Sequence, residues 1–223
     1  GKSILLVEDN EINSKIIFYM LKKAGYKVTI ARNGQECLDF LQNAAFDLIL
    51  MDMQMPILDG YETTKLIRLN KAWNNIPIIA LTAFAMPDTA EKCIRVGCNY
   101  YLSKPVSALE LIDTIYTFLN NEKKEHLNSS DKEIIKTLIP EFLYTTKLLL
   151  KKLQLAADSK NLKSAASIGY DLKGICGMYG FTDLLDMATL VYNDALNGDS
   201  ENLQTSITKL NHRFLIELKK AST

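Results

Sequence analysis

Net charge is the first thing this sequence lacks: 26 basic and 26 acidic residues cancel, so nothing in the balance points to a nucleic acid or another polyanion. Histidine occurs only twice, too seldom to complete a zinc site with the four scattered cysteines, Cys37, Cys93, Cys98 and Cys176. Scattered, unpaired thiols fit a reducing compartment, and the cytoplasm is the expected location. No apolar run approaches membrane-spanning length and no leader pattern precedes the first strand. The opening Gly1-Lys2-Ser3 reads as an expression scar or as a cut from a longer chain. What remains is ordinary for a water-exposed globular protein, 48% hydrophobic and 23% charged over 223 residues, enough for one large domain or two small ones.

The stretch that organises the rest is Leu48-Ile49-Leu50-Met51-Asp52-Met53-Gln54-Met55-Pro56, running on to Asp59-Gly60. An apolar run of strand length ends on a carboxylate, and a loop punctuated by Pro and Gly follows. Such a run fits a strand buried on both faces of a parallel sheet. Ligands of open α/β sheets collect beyond the carboxyl ends of the strands, where Asp52 would stand.

The flanking sequence repeats the pattern. Ser3–Val7 is a short β-rich run followed by Glu8-Asp9-Asn10. Two adjacent carboxylates there suit a hard divalent cation, while Asp9 or Asn10 could equally cap the amphipathic segment from Glu11 to Ala24. Strands are expected at Lys27–Ala31, Ile76–Leu81 and Tyr100–Leu102, and helices at Gly34–Asn43, Gly60–Asn70, Pro87–Val96 and Ser107–Asn120. Ser107 with Glu110 three residues on forms a capping box for the last of these. The alternation predicts a flavodoxin-like (βα)5 doubly wound parallel sheet.

Right-handed crossovers bring Glu8/Asp9, Asp52, Thr82 and Lys104 to one edge of that sheet. Together they read as one reaction site. The Asp52 carboxylate can form an acyl phosphate. Mg²⁺ held by Glu8, Asp9, Asp52 and the Gln54 backbone carbonyl would screen the attacking carboxylate and the incoming phosphoryl oxygens. Lys104 offers a positive point charge and the Thr82 hydroxyl a hydrogen bond to further oxygens.

These residues, Glu8-Asp9, Met51-Asp52-Met53-Gln54-Met55-Pro56 through Asp59-Gly60, Leu81-Thr82-Ala83 and Tyr101-Leu102-Ser103-Lys104-Pro105, resemble the response-regulator receiver domain of two-component signalling, above all receivers attached to hybrid sensor kinases. The likeness spans residues 2–121. It implies that Asp52 takes a phosphoryl group from a histidine kinase or another phosphohistidine donor, with Mg²⁺ required. It implies that Thr82 and Tyr101 form a switch pair, Tyr101 turning inward behind Thr82, and that Lys104-Pro105 is cis. Phe84, two residues beyond the threonine, is bulkier than the commonest pattern allows. It either shields the acyl phosphate from water or serves as a partner contact.

Residues 122–130 form a polar linker that contains His126, expected to be inert there. At roughly 3.3 Å per extended residue the linker has considerable reach. From 131 to 221 strand patterns vanish. Apolar residues recur at helical spacing, with turns at Asp158–Asn161 and Asn197–Ser200 and a capping box at Ser130 and Glu133. An antiparallel four-helix bundle is expected, with later helices at Leu162–Cys176, Phe181–Leu196 and Glu201–Ala221.

Within it, Tyr170-Asp171-Leu172-Lys173-Gly174 leading to Gly177 and Gly180 resembles the signature of histidine-phosphotransfer domains. Tyr stands where that family carries its histidine. A phenol of pKa about 10 is almost wholly protonated near neutral pH and is a poor substitute for imidazole. His212 lies outside the motif. The resemblance therefore implies a phosphotransfer-like domain that docks a receiver, its own or another, through Tyr170, Lys173 and Gly174 without relaying. The alternatives are a spacer or dimerisation scaffold independent of phosphorylation, or an active relay if Tyr170 replaces a native histidine. A separate enzymatic substrate site is not evident: the receiver would promote only its own phosphorylation and dephosphorylation. Neither nucleic-acid binding nor membrane insertion is expected, although the chain could be the cytosolic C-terminal part of a membrane sensor kinase.

Overall fold

A computed structural model describes residues 1–83, 87–120 and 129–221. Phe84 and His126 lie outside these described residues. The elements are β1 (Ser3–Val7), α1 (Glu11–Lys23), β2 (Lys27–Ala31), α2 (Gly34–Asn43), β3 (Leu48–Asp52), α3 (Gly60–Leu69), β4 (Ile78–Thr82), α4 (Pro87–Arg95), β5 (Tyr100–Ser103), α5 (Ala108–Asn120), α6 (Ser129–Asp158), α7 (Leu162–Met178), α8 (Thr182–Leu196) and α9 (Ser200–Ala221). The chain divides into two compact units, Gly1–Ile134 and Ile135–Thr223. Among the described residues no helix is long and apolar enough to cross a membrane.

In the first unit the five strands form a parallel sheet in the order β2-β1-β3-β4-β5. The central strands β3 and β4 are buried at every residue, which is why their sequences run apolar without alternation. The edge strand β2 begins at the exposed Lys27, and β5 buries only Leu102 fully. One core cluster joins Leu5, Val7, Ile49, Met51, Ile78 and Ala80 of the sheet to Cys37, Leu41, Ile67 and Cys93 of the helices.

Local chemistry sets the helix starts. The side chains of Asn10, Asn33 and Asp59 accept hydrogen bonds from the first-turn amides of α1, α2 and α3. Asn10, rather than Asp9, caps α1, with its Oδ1 2.9 Å from the amides of both Ile12 and Asn13. For α5 the Glu110 amide donates to Ser107 Oγ at 3.2 Å.

β4 begins two residues later than its apolar run suggests, at Ile78 rather than Ile76. Pro77 has no N–H to give a ladder, and the Ile76 carbonyl is taken by Arg68 at 2.9 Å. The Arg68 guanidinium also donates to Gly97 O at 2.7 Å, Asn74 O at 3.1 Å and Asn99 Oδ1 at 2.8 Å. Asn99 Oδ1 in turn accepts from the Ile78 amide at 2.8 Å. One side chain from α3 thus clasps the lead-ins to β4 and β5.

Of the four helices that follow, α6 runs across the boundary between the units, and α7, α8 and α9 belong to the second. α6 opens at Ser129, ahead of the expected cap at Ser130, and runs 30 residues with Pro140 in its interior. The Phe142 ring stacks on Phe181 at 4.3 Å and tilts against Tyr179 at 5.0 Å. α7 extends to Met178, two residues beyond its expected end at Cys176. It packs on α8 closely enough that a Cβ built at Gly169 would lie 3.0 Å from Tyr192 Cα.

Candidate functional site

The carboxyl edge of the sheet gathers the groups expected there. Glu8, directly after β1, is 1% exposed, and Asp52, the last residue of β3, is 5% exposed. Thr82 ends β4 and is buried. Lys104 follows β5, its amide donating to Thr82 O at 2.6 Å, and the Lys104–Pro105 peptide is cis. Asp9 stays exposed at the mouth of the site. Because Asn10 has taken the cap, the Asp9 carboxylate is left to the site.

Lys104 Nζ reaches 2.6 Å from Glu8 Oε2 and 2.6 Å from Asp52 Oδ2. The other Asp52 oxygen accepts from the Gln54 amide at 3.0 Å. Carboxylate oxygens of Glu8, Asp9 and Asp52 all lie within 4.8 Å of one another. Burial pushes Glu8 up to about 7, the Asp52 charge adding to the rise while Lys104 opposes it. Asp9 is raised as well, first by the partial desolvation of its carboxylate on the side facing the site and then by the Asp52 charge. Burial works against the Lys104 ammonium, yet Glu8 and Asp52 hold it above the usual lysine range. One ammonium faces three converging carboxylates, so the cluster is short of positive charge and offers only oxygen donors. That donor set fits a hard divalent cation such as Mg²⁺.

The loop after β3 is held tightly. The Gly60 amide donates back to Met53 O at 3.3 Å, and a Cβ at Gly60 would come within 2.2 Å of Asp52 O. A Cβ at Gly34 would meet Thr63 Oγ1 at 1.8 Å and Leu58 O at 2.7 Å. Both glycines are required by close approach. A cleft beside the site is lined by Asp9, Met55, Pro56, Asp59, Tyr61 and Lys92, with Lys92 Nζ 3.9 Å from the Tyr61 ring centroid. Tyr101 points outward, 36% exposed, its ring stacked on Tyr100 at 5.9 Å.

In the second unit Tyr170 is half-buried on α7, its ring 5.9 Å from that of Tyr192 on α8. Lys173 Nζ lies 5.9 Å from the Tyr192 centroid, and Gly174 is half-buried one residue on. His212 is exposed on α9, away from the motif in sequence. Tyr192 and Gly169 escaped the sequence reading. The buried small residues Ala165, Ala166 and Gly169 at helical spacing were the available signal for a close helix contact.

Comparison with known proteins adds a family to this geometry. Residues 4–116 match the model of the response regulator receiver domain. The polar-differentiation response regulator DivK of Brucella anthropi is 42% identical over 120 residues, which cover 54% of this chain and 98% of that protein. The DivK of Brucella ovis is 41% identical over the same shares. Among solved structures, the receiver domain of the Pseudomonas aeruginosa sensor histidine kinase PA1611, with magnesium coordinated in its active-site cleft, is 40% identical at a TM-score of 0.51. That match covers 53% of this chain and 98% of that one. The co-crystal of Saccharomyces cerevisiae histidine phosphotransfer protein Ypd1 with the receiver domain of Ssk1 gives 33% identity and a TM-score of 0.52, over 57% of this chain and 95% of that one.

Proposed function

Since the chain belongs to the response regulator receiver family through residues 4–116, we propose that Asp52 accepts a phosphoryl group from a phosphohistidine donor in a cytoplasmic phosphorelay. The observation that carries this reading is Lys104 Nζ standing 2.6 Å from both Asp52 Oδ2 and Glu8 Oε2 at the carboxyl edge of the sheet. An Asp52 carboxylate oxygen attacks phosphorus, the P–N bond breaks, and its electron pair returns to the donor imidazole, which takes up a proton. Lys104 keeps a positive charge where a phosphoryl oxygen arrives. The Thr82 hydroxyl donates to another oxygen, and Tyr101 turns inward behind it as the switch partner.

Glu8, Asp9, Asp52 and the Gln54 carbonyl are the groups that would hold Mg²⁺. Bound there, Mg²⁺ supplies the positive charge that one lysine cannot provide against three carboxylates. The unit acts on its own carboxylate alone and needs no separate substrate site. The second unit serves as a docking module for a receiver domain through Tyr170, Lys173 and Gly174, with Tyr170 unable to relay. The half-buried tyrosine beside a lysine on α7 supports that reading.

Intact mass after incubation with acetyl phosphate and Mg²⁺ tests the proposal, for the wild type and for Asp52→Ala. A single phosphoryl adduct, absent from Asp52→Ala, is expected. No adduct in the wild type would leave a phosphorylation-independent interaction module. A wild-type adduct that then moves to the second unit would overturn the docking-only role of Tyr170.

A further inference from the structure

The loop between Asp52 and α3 carries a local oddity at its tip. The Leu58 amide donates to Pro56 O at 2.9 Å, closing a three-residue γ-turn whose central residue, Ile57, has φ of 71°. A positive φ at the centre of a γ-turn belongs to the rare and strained hand of that turn. For a β-branched side chain a positive φ is a true outlier, since Cβ crowds the following backbone. The side chain recovers little by packing, because Ile57 is 83% exposed. The tip is also not free to relax. Gly34 N donates to Leu58 O at 3.0 Å on one side, and Gly60 N returns to Met53 O on the other. A strained backbone that presents a bare apolar side chain, held by backbone hydrogen bonds on either side, is the arrangement expected of a contact residue.

We infer that Ile57 is the apolar anchor by which this receiver seats its phosphohistidine-bearing protein donor. The inference rests on the phosphoacceptor role proposed for Asp52. Whatever brings a phosphohistidine to Asp52 must descend on the carboxyl edge of the sheet, and the 53–60 loop forms part of that edge with Ile57 exposed at its tip. The donor presents an apolar pocket toward Ile57 and its phosphohistidine toward Asp52. A helical phosphotransfer protein can offer both, and the co-crystal of Ypd1 with the Ssk1 receiver shows that such a protein binds a receiver similar to this one.

Two donors separate the outcomes. Phosphoramidate delivers the same P–N chemistry without a docking surface, and phosphorylated Ypd1 delivers it with one. Rates of Asp52 phosphorylation are measured with each for the wild type, Ile57→Val and Ile57→Asn. Asn tolerates positive φ, so Ile57→Asn keeps the turn while removing the apolar contact. The expected result is a ratio of Ypd1 rate to phosphoramidate rate that falls about tenfold in Ile57→Asn and stays near wild type in Ile57→Val. Ile57→Asn should also melt at a higher temperature, because strain is relieved. An unchanged ratio in Ile57→Asn overturns the inference, as does a wild type that accepts from phosphoramidate but never from Ypd1. A wild type that accepts from neither donor overturns the role of Asp52 instead.

Discussion

Lys104 is the residue on which the site's charge balance turns, since its ammonium touches two buried carboxylates at once. Truncating it in Lys104→Ala leaves Glu8 and Asp52 buried without a counter-charge, and removing one partner of such a group costs about 3 kcal/mol. Urea unfolding without metal should show that loss, and added Mg²⁺ should restore part of it in the variant. Asp47 makes a simpler electrostatic case. Its carboxylate accepts from the Ser3 amide at 2.7 Å and from Lys2 Nζ at 3.1 Å, and the amide hydrogen bond holds its pKa below the ordinary value. A carboxyl whose pKa falls on folding adds stability that is complete above the unfolded value. That stability is lost as pH drops through the folded one. Asp47→Asn should therefore lower stability at neutral pH and flatten the loss below about pH 4, read from melting temperatures across an acid series.

The α7–α8 contact decides how the second unit packs. Gly169→Ala would gain about 1 kcal/mol of helix propensity, but its Cβ would press on Tyr192 Cα and N at 3.0 and 3.1 Å. Overpacking against backbone costs about 1–3 kcal/mol, so the variant should melt lower despite its better helix former. This glycine also marks where sequence reading stops. Asp52, Thr82 and Lys104 were legible because each chemically distinct group ends a continuous apolar run, and right-handed crossovers leave little choice about where those ends go. Asp9 and Asn10 stayed interchangeable until the structure assigned the cap, since both carry an oxygen that can accept from a first-turn amide. Gly169 could not be ranked above Gly174, because periodicity shows that a face is buried and not which helix meets it. The backbone of Ile57 was hidden for the opposite reason: isoleucine is among the last residues one would assign a positive φ.

At the scale of the whole molecule, the four thiols report on opening. Cys37, Cys93, Cys98 and Cys176 are free and buried, and burial pushes Cys37 and Cys176 up to about 12 and Cys98 to about 11. A thiol that is both protonated and enclosed reacts only when its surroundings open. Labelling by an aromatic disulfide, resolved by peptide mass, should be slow at all four sites in the native protein and fast in denaturant. The rate at Cys176 follows the second unit and the other rates follow the first. The Arg68 clasp bears on motion in another way. It pins the strand beginnings of β4 and β5, whereas Thr82 and Lys104 lie at the far ends of the same strands. Mechanically, that half of the sheet is a cantilever: clamped at the root, loaded at the tip, with deflection growing along its length. Hydrogen exchange should therefore find the amides of Ile78 and Asn99 the stillest when Asp52 is modified, and those nearest Thr82 and Lys104 the most displaced.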